Sequence, residues 1–144
     1  MMNMRQLEEI IENDLRKIDV SLKDKKIRSV FFLSEPLGFR APGSYLYIVN
    51  DEFHCVSIGD RGAIEAHEVY TNKTECLFRV YWFITTMISI DYASQNRTPG
   101  KDWRRIMFQK HLELLKRIGE VYFQKGQIEI NKILANAPYS DDHF

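Results

Sequence analysis

Apolar residues recur at Leu7, Ile10, Ile11, Leu15 and Ile18, a three-and-four spacing that gathers them on one side of a helix. Glutamates come early in this segment and Arg16 and Lys17 late, as the helix dipole favours, so the pattern predicts an amphipathic helix from Met4 to Ile18. A charged link, Lys23 to Lys26, follows. The run Ile27 to Leu33 is β-branched and aromatic and predicts a strand. Pro36, Gly38, Pro42 and Gly43 then mark a loop. Three more strand-like runs, Tyr45 to Val49, Phe53 to Ile58 and Ala63 to Tyr70, are separated by Asn50-Asp51-Glu52 and Gly59-Asp60-Arg61-Gly62. Both separators carry turn chemistry, and an antiparallel meander is the simplest product.

Beyond Tyr70 the period lengthens. Asn72 followed by Glu75 resembles a capping box, and Leu77, Val80, Tyr81, Ile84, Ile88 and Tyr92 continue at helical spacing. Phe78 and Trp82 lie off that stripe, which predicts a helix apolar around much of its circumference. Thr98-Pro99-Gly100 ends it. Asp102 is placed to cap a second helix carrying Trp103, Ile106, Met107, Leu114, Leu115 and Ile118, with Gly119 as its stop. A last helix is expected from Val121 to Leu134, with Gly126 as a point of interruption, before Pro138 releases a polar tail. Strands grouped ahead of helices predict an α+β fold: an N-terminal helix, an antiparallel meander of three to four strands, then two to three C-terminal helices packed on the sheet. At 144 residues, with no repeat or low-complexity segment, residues 1–144 are expected to form one domain.

Composition adds exclusions. Apolar residues make up 44% and charged residues 28%, values of a chain that folds and not of a disordered one. Two cysteines, Cys55 and Cys76, are too few for a disulfide framework and are expected to be reduced and buried. The first twelve residues hold no basic patch followed by an apolar run, and Leu77 to Ile90 is too short and too polar to span a membrane, so a cytoplasmic location is expected. Net charge is zero but segregated. Residues 51 to 96 carry seven acids against three bases, and residues 97 to 135 carry nine bases against four acids. Such asymmetry serves electrostatic steering as well as nucleic-acid binding.

Candidate chemistry is sparse. His67-Glu68 opens like a two-histidine zinc helix, but the fourth residue on is Thr71 and the segment reads as a strand. Cys55, Cys76, His54, His67, His111 and His143 show no close ligand spacing, so no metal is expected. Cys55 and His54, adjacent on a strand, point to opposite faces and do not make a nucleophile-base pair. Gly59 and Gly62 suit a hairpin, and no glycine-rich phosphate loop is present. No cofactor and no enzyme activity are expected. The basic helix over residues 102–118 leaves one alternative, a nucleic-acid-binding regulator, which a sequence pI of about 6.9 disfavours.

One family resemblance runs from Tyr45 to Asp142. The stretch from Asp102 to Leu115, an acid, an aromatic, two arginines, an apolar pair and then Phe108 opening a leucine-rich turn, resembles the bacterial polymorphic-toxin immunity proteins of immunity protein family sixty-three. The ending Ala137-Pro138-Tyr139-Ser140-Asp141-Asp142 is similar to that family's proline-tyrosine ending, and Thr74 to Arg97 to its central helix. The resemblance implies a small cytoplasmic protein, encoded with a toxin, that occludes one cognate toxin domain stoichiometrically, without catalysis or cofactor; no nucleic-acid or membrane partner is expected. It leaves the toxin's chemistry open. Asp102, Trp103, Arg104, Arg105 and Phe108 are expected to be structural, Asp102 as a cap and one arginine paired with Asp91 or a tail aspartate. For toxin contact the candidates are Asp51, Glu52, Asp60, Glu65 and Glu68 on the meander and Tyr139, Asp141 and Asp142 on the tail. Carboxylates there suit a basic toxin such as a nuclease, with Tyr45, Tyr47, Tyr70 and Tyr139 as anchors. Solubility and edge protection are the alternative role of the same charges.

Overall fold

Asn3 opens the first helix, α1 (Met4–Arg16), through a reciprocal capping box: its side chain accepts the Gln6 N–H at 2.9 Å while the Gln6 side chain accepts the Asn3 N–H at 3.0 Å. Leu7, Ile11 and Leu15, three members of the predicted stripe, are fully buried. Burial of each such side chain contributes about 2 kcal/mol. The computed structural model describes residues 1–38 and 40–141.

The predicted strand from Ile27 to Leu33 divides in two. Its first half is a single helical turn, α2 (Lys25–Arg28), and only Phe31–Phe32 form a strand, β1. Local side-chain bonds explain the difference. Asp24 accepts the Ser21 N–H at 2.9 Å and Ser21 accepts the Lys23 N–H at 3.1 Å, so this segment enters a turn before it can extend. The strands β2 (Gly43–Val49), β3 (Glu52–Ile58) and β4 (Ile64–Tyr70) follow as predicted, and the sheet order is β1-β2-β3-β4. It is mixed, because β1 pairs with β2 in parallel while the other two pairings are antiparallel. A loop of ten residues, not a hairpin, brings the chain back beside β1, and Gly43 (φ 146°) lies so close to the Val30 carbonyl that no side chain fits there.

Three helices complete the chain: α3 (Lys73–Gln95), α4 (Arg104–Ile118) and α5 (Glu120–Asn136). Backbone contacts divide the molecule into two compact units, one ending at Leu77 and the other beginning at Phe78, within α3. In the first unit, pairing register places Tyr45, Tyr47, His54, Val56, His67 and Val69 on one sheet face and Leu46, Phe53, Cys55 and Glu68 on the other. The former face holds a small cluster of Tyr45, Val56 and Ile58, with Phe32 stacked on Tyr45 at 4.7 Å.

In the second unit the core gathers Ala93, Met107, Phe108 and Ile130, with Trp82 and Trp103 against them. Here the α3 stripe departs from expectation. Thr85 and Ser89 are fully buried, whereas Tyr92 is exposed and Ile88 only partly buried. Thr85 satisfies its hydroxyl by donating to the Tyr81 carbonyl at 2.6 Å, which lets a polar side chain occupy a core position. Gly119 ends α4 as predicted and leads at once into α5. That last helix is not interrupted at Gly126. A methyl group there would meet Leu115 Cδ1 at 2.5 Å, so glycine permits close packing of α5 on α4.

Candidate functional site

The meander carboxylates are all exposed, but they do not form one cluster. Asp51 (φ 63°) sits in the β2-β3 turn with Glu52 beside it, and Asp60 lies in the β3-β4 turn at the opposite end of the hairpin. Glu65 is the extra residue of a bulge, since Ser57 pairs with Ala66 and Ile58 with Ile64. Its carboxylate lies against Gly59. Glu68 lies further along β4 and accepts the Tyr70 hydroxyl at 2.6 Å. Together they line the hairpin from one turn to the other, and Arg61 is the sole cation from residue 51 to residue 70.

The tail charges belong to a different arrangement. Asp102 is 1% exposed and accepts the Arg104 backbone N–H at 3.0 Å, the Arg104 guanidinium at 2.8 Å and the Ser140 N–H at 3.1 Å. Trp103 already has helical dihedrals, which makes Asp102 the cap of α4. The Arg104 guanidinium hydrogen bonds hold the Asp102 carboxyl far below the usual carboxylate range, against the opposing effect of burial. Arg104 also donates to the carbonyls of Ala137 and Pro138 at 2.8 and 2.9 Å. Asp141 accepts the Asp102 N–H at 2.8 Å and both arms of Arg105 at 3.1 and 3.0 Å. Arg105 lies over the Tyr139 ring at 4.2 Å, and Phe108 stands 6.3 Å from that ring. The expected toxin contacts Tyr139 and Asp141 are thus held by partners within the chain, and Asp142 lies outside the described residues. Arg105, through its bidentate pair with Asp141, and Arg104, through its bonds to the Ala137 and Pro138 carbonyls, fasten the segment after α5 to the start of α4.

The other cations of the basic helix are engaged as well. Lys110 pairs with Glu113 at 3.4 Å and stands 4.7 Å from the Tyr92 ring, and Lys116 lies over Phe123 at 4.9 Å. Several contacts escaped the sequence. His54 Nδ1 and His67 Nε2 meet at 2.9 Å, with Tyr47 stacked on His54 at 4.9 Å. The signal was present: folding β3 and β4 about the Gly59–Gly62 turn sets these two histidines diagonally across one face. His111, 1% exposed, packs its ring on Trp82 at 4.1 Å, and burial pushes its pKa down to about 4 against a hydrogen bond with the Trp82 backbone. Its Nε2 has no hydrogen-bond partner among the described residues.

Cys55 and Cys76 are free thiols in hydrogen-bonding contact, 21 positions apart in sequence. Cys76 is buried as expected but Cys55 only partly so. That hydrogen bond and burial push the Cys76 thiol far up, which makes it a poor nucleophile. His54 and Cys55 fall on opposite faces of β3. Among the described residues no group of three or more His, Cys, Asp or Glu is placed to hold a metal ion, and no helix is long and apolar enough to cross a membrane.

The arrangement comprises an exposed acidic hairpin and a clasp of paired charges around Asp102. The family model Immunity protein 63 matches residues 50–132, from the β2-β3 turn to near the end of α5 and more than half of the chain. The chain belongs to this immunity protein family. No curated protein and no solved structure matches it. The match contains the acidic hairpin and the Asp102 to Phe108 motif, and it stops before the tail residues that this motif holds.

Proposed function

We infer that the chain acts in the cytoplasm as a stoichiometric, non-catalytic inhibitor that binds one cognate toxin and covers its working surface. One observation carries the choice of surface. The carboxylates Asp51, Glu52, Asp60, Glu65 and Glu68 stand exposed along the hairpin, whereas Asp102, Asp141, Arg104 and Arg105 are engaged with one another. A line of acids attracts a basic partner and raises its association rate, as a toxin that holds phosphate would require. Tyr139 and Asp141 serve the inhibitor indirectly, by fastening its tail.

The test uses as toxin the product of an adjacent reading frame whose expression alone arrests growth. Titrating purified chain into that toxin should abolish its activity at a one-to-one break point, and protection should survive Cys55→Ser, His54→Ala and chelation. Rescue at clearly substoichiometric ratios would indicate turnover and overturn the inhibitor reading.

A further inference from the structure

The two edges of the sheet are protected very differently. Natural sheets blunt their edges by shortness, lysine, proline or bulges, because an open row of backbone N–H and C=O groups invites another strand. At one edge β1 is two residues long. At the other, β4 extends over seven residues, contains neither proline nor lysine, and pairs only with β3 among the described residues. Every residue from Ile64 to Val69 is exposed, including Ile64 at 53% and Val69 at 46%. The bulge at Glu65 disturbs one end only.

Backbone geometry identifies the open groups. Asn50 (φ 51°) and Asp51 (φ 63°) form a two-residue type I′ turn, so Val49 and Glu52 are the hydrogen-bonded pair that closes the β2-β3 hairpin. Bonding alternates along an antiparallel strand, so His54 and Val56 face β2 while Phe53, Cys55 and Ser57 bond to Tyr70, Glu68 and Ala66. The N–H and C=O groups of His67 and Val69 therefore point outward.

The geometry points to strand addition: an extended, basic segment of the toxin pairs with the outer edge of β4 through the backbone of His67 and Val69. This rests on the toxin-binding reading above and specifies how the contact is made. Charge selects the occupant. Five carboxylates against Arg61 line the hairpin, so a second copy of this chain would bring Glu65 and Glu68 against their like, whereas lysines or arginines alternating along a toxin strand would meet them.

Residue-resolved amide hydrogen exchange on the chain, alone and bound to the toxin defined above, reads the contact directly. The His67 and Val69 amides should exchange rapidly in the free chain and slow by about a hundredfold or more in the complex. Val69→Pro removes an outward donor without touching the β3 ladder and should weaken binding about tenfold, while Val69→Thr, which keeps the donor, should change it by less than about threefold. Should Val69→Pro fail to fold by circular dichroism, the exchange measurement on the unaltered chain decides. Rapid exchange at both amides within a formed one-to-one complex overturns strand addition and leaves inhibition standing. Protection that appears without toxin and grows with chain concentration assigns the edge to a second copy and also overturns it. Absence of any complex overturns the inhibitor reading itself.

Discussion

The β3-β4 hairpin and the clasp around Asp102 both concentrate charge, yet they spend it in opposite ways. On the hairpin, carboxylates stand in solvent, two of them on a strand whose outer edge has no strand beside it among the described residues. Around Asp102, two aspartates and two arginines neutralise one another, and the tyrosine beside them covers a guanidinium. Local composition does not separate the two: each contains acids, aromatic rings and β-branched or leucine-rich neighbours. The difference lies in whether a partner for each charge is supplied by the chain. Where it is, charge holds the fold, and removing Asp102 leaves Arg104 without its buried partner. Where it is not, charge remains available to another molecule.

The sharpest way to break this comparison is Asp102→Ala. It should cost about 3 kcal/mol in chemical denaturation, because it strips a buried carboxylate from Arg104 and from the Ser140 N–H and uncaps α4. A folded, fully stable variant that no longer bound toxin would make the clasp a contact surface and reverse the assignment. Next in size is a pH effect. The His111 pKa is depressed to about 4 in the folded chain against about 6.5 unfolded, so its contribution is complete above about pH 6.5 and is lost as pH falls through about 4, a difference of about 3 kcal/mol. His111→Leu should flatten stability across that window, with one proton fewer taken up on unfolding. Asp102 contributes in the same direction but at lower pH, since its carboxyl must be protonated to release Arg104.

Gly126→Ala comes third, with a net loss of about 1 kcal/mol in thermal denaturation: crowding against Leu115 and Leu112 outweighs the gain in helix propensity. The double reversal Glu65→Lys with Glu68→Lys should have the smallest effect on stability, within about 0.5 kcal/mol, because both positions are exposed. It should instead slow toxin association about tenfold at low salt, with the two rates converging at high salt. Unchanged rates in a folded double variant would remove the hairpin from the contact surface, and the exposed apolar residues of α5, Val121 and Ile128, would then be the next surface to vary.

Sequence alone determined what depends on a few neighbouring residues. The Asn50-Asp51 and Gly59–Gly62 turns, the stripe of α1, the cap at Asp102 and the stop at Gly119 were all legible, because periodicity and turn chemistry act over one or two turns of chain. The two phenylalanines of β1 were legible as strand, but their parallel pairing was not, since nothing local states that a ten-residue loop returns the chain to their side. Nor did periodicity show that Thr85 and Ser89, rather than Ile88 and Tyr92, would take core positions on α3. The tertiary structure alone decided which acids are paired with cations of the chain. The sequence left Asp91 or a tail aspartate open as the arginine's partner; Asp141 meets Arg105 across 36 positions, while Glu68 stands on a strand that pairs only with β3 among the described residues. Contacts over such separations are set by how elements dock, where the gain from packing and from satisfied polar groups outweighs any local preference.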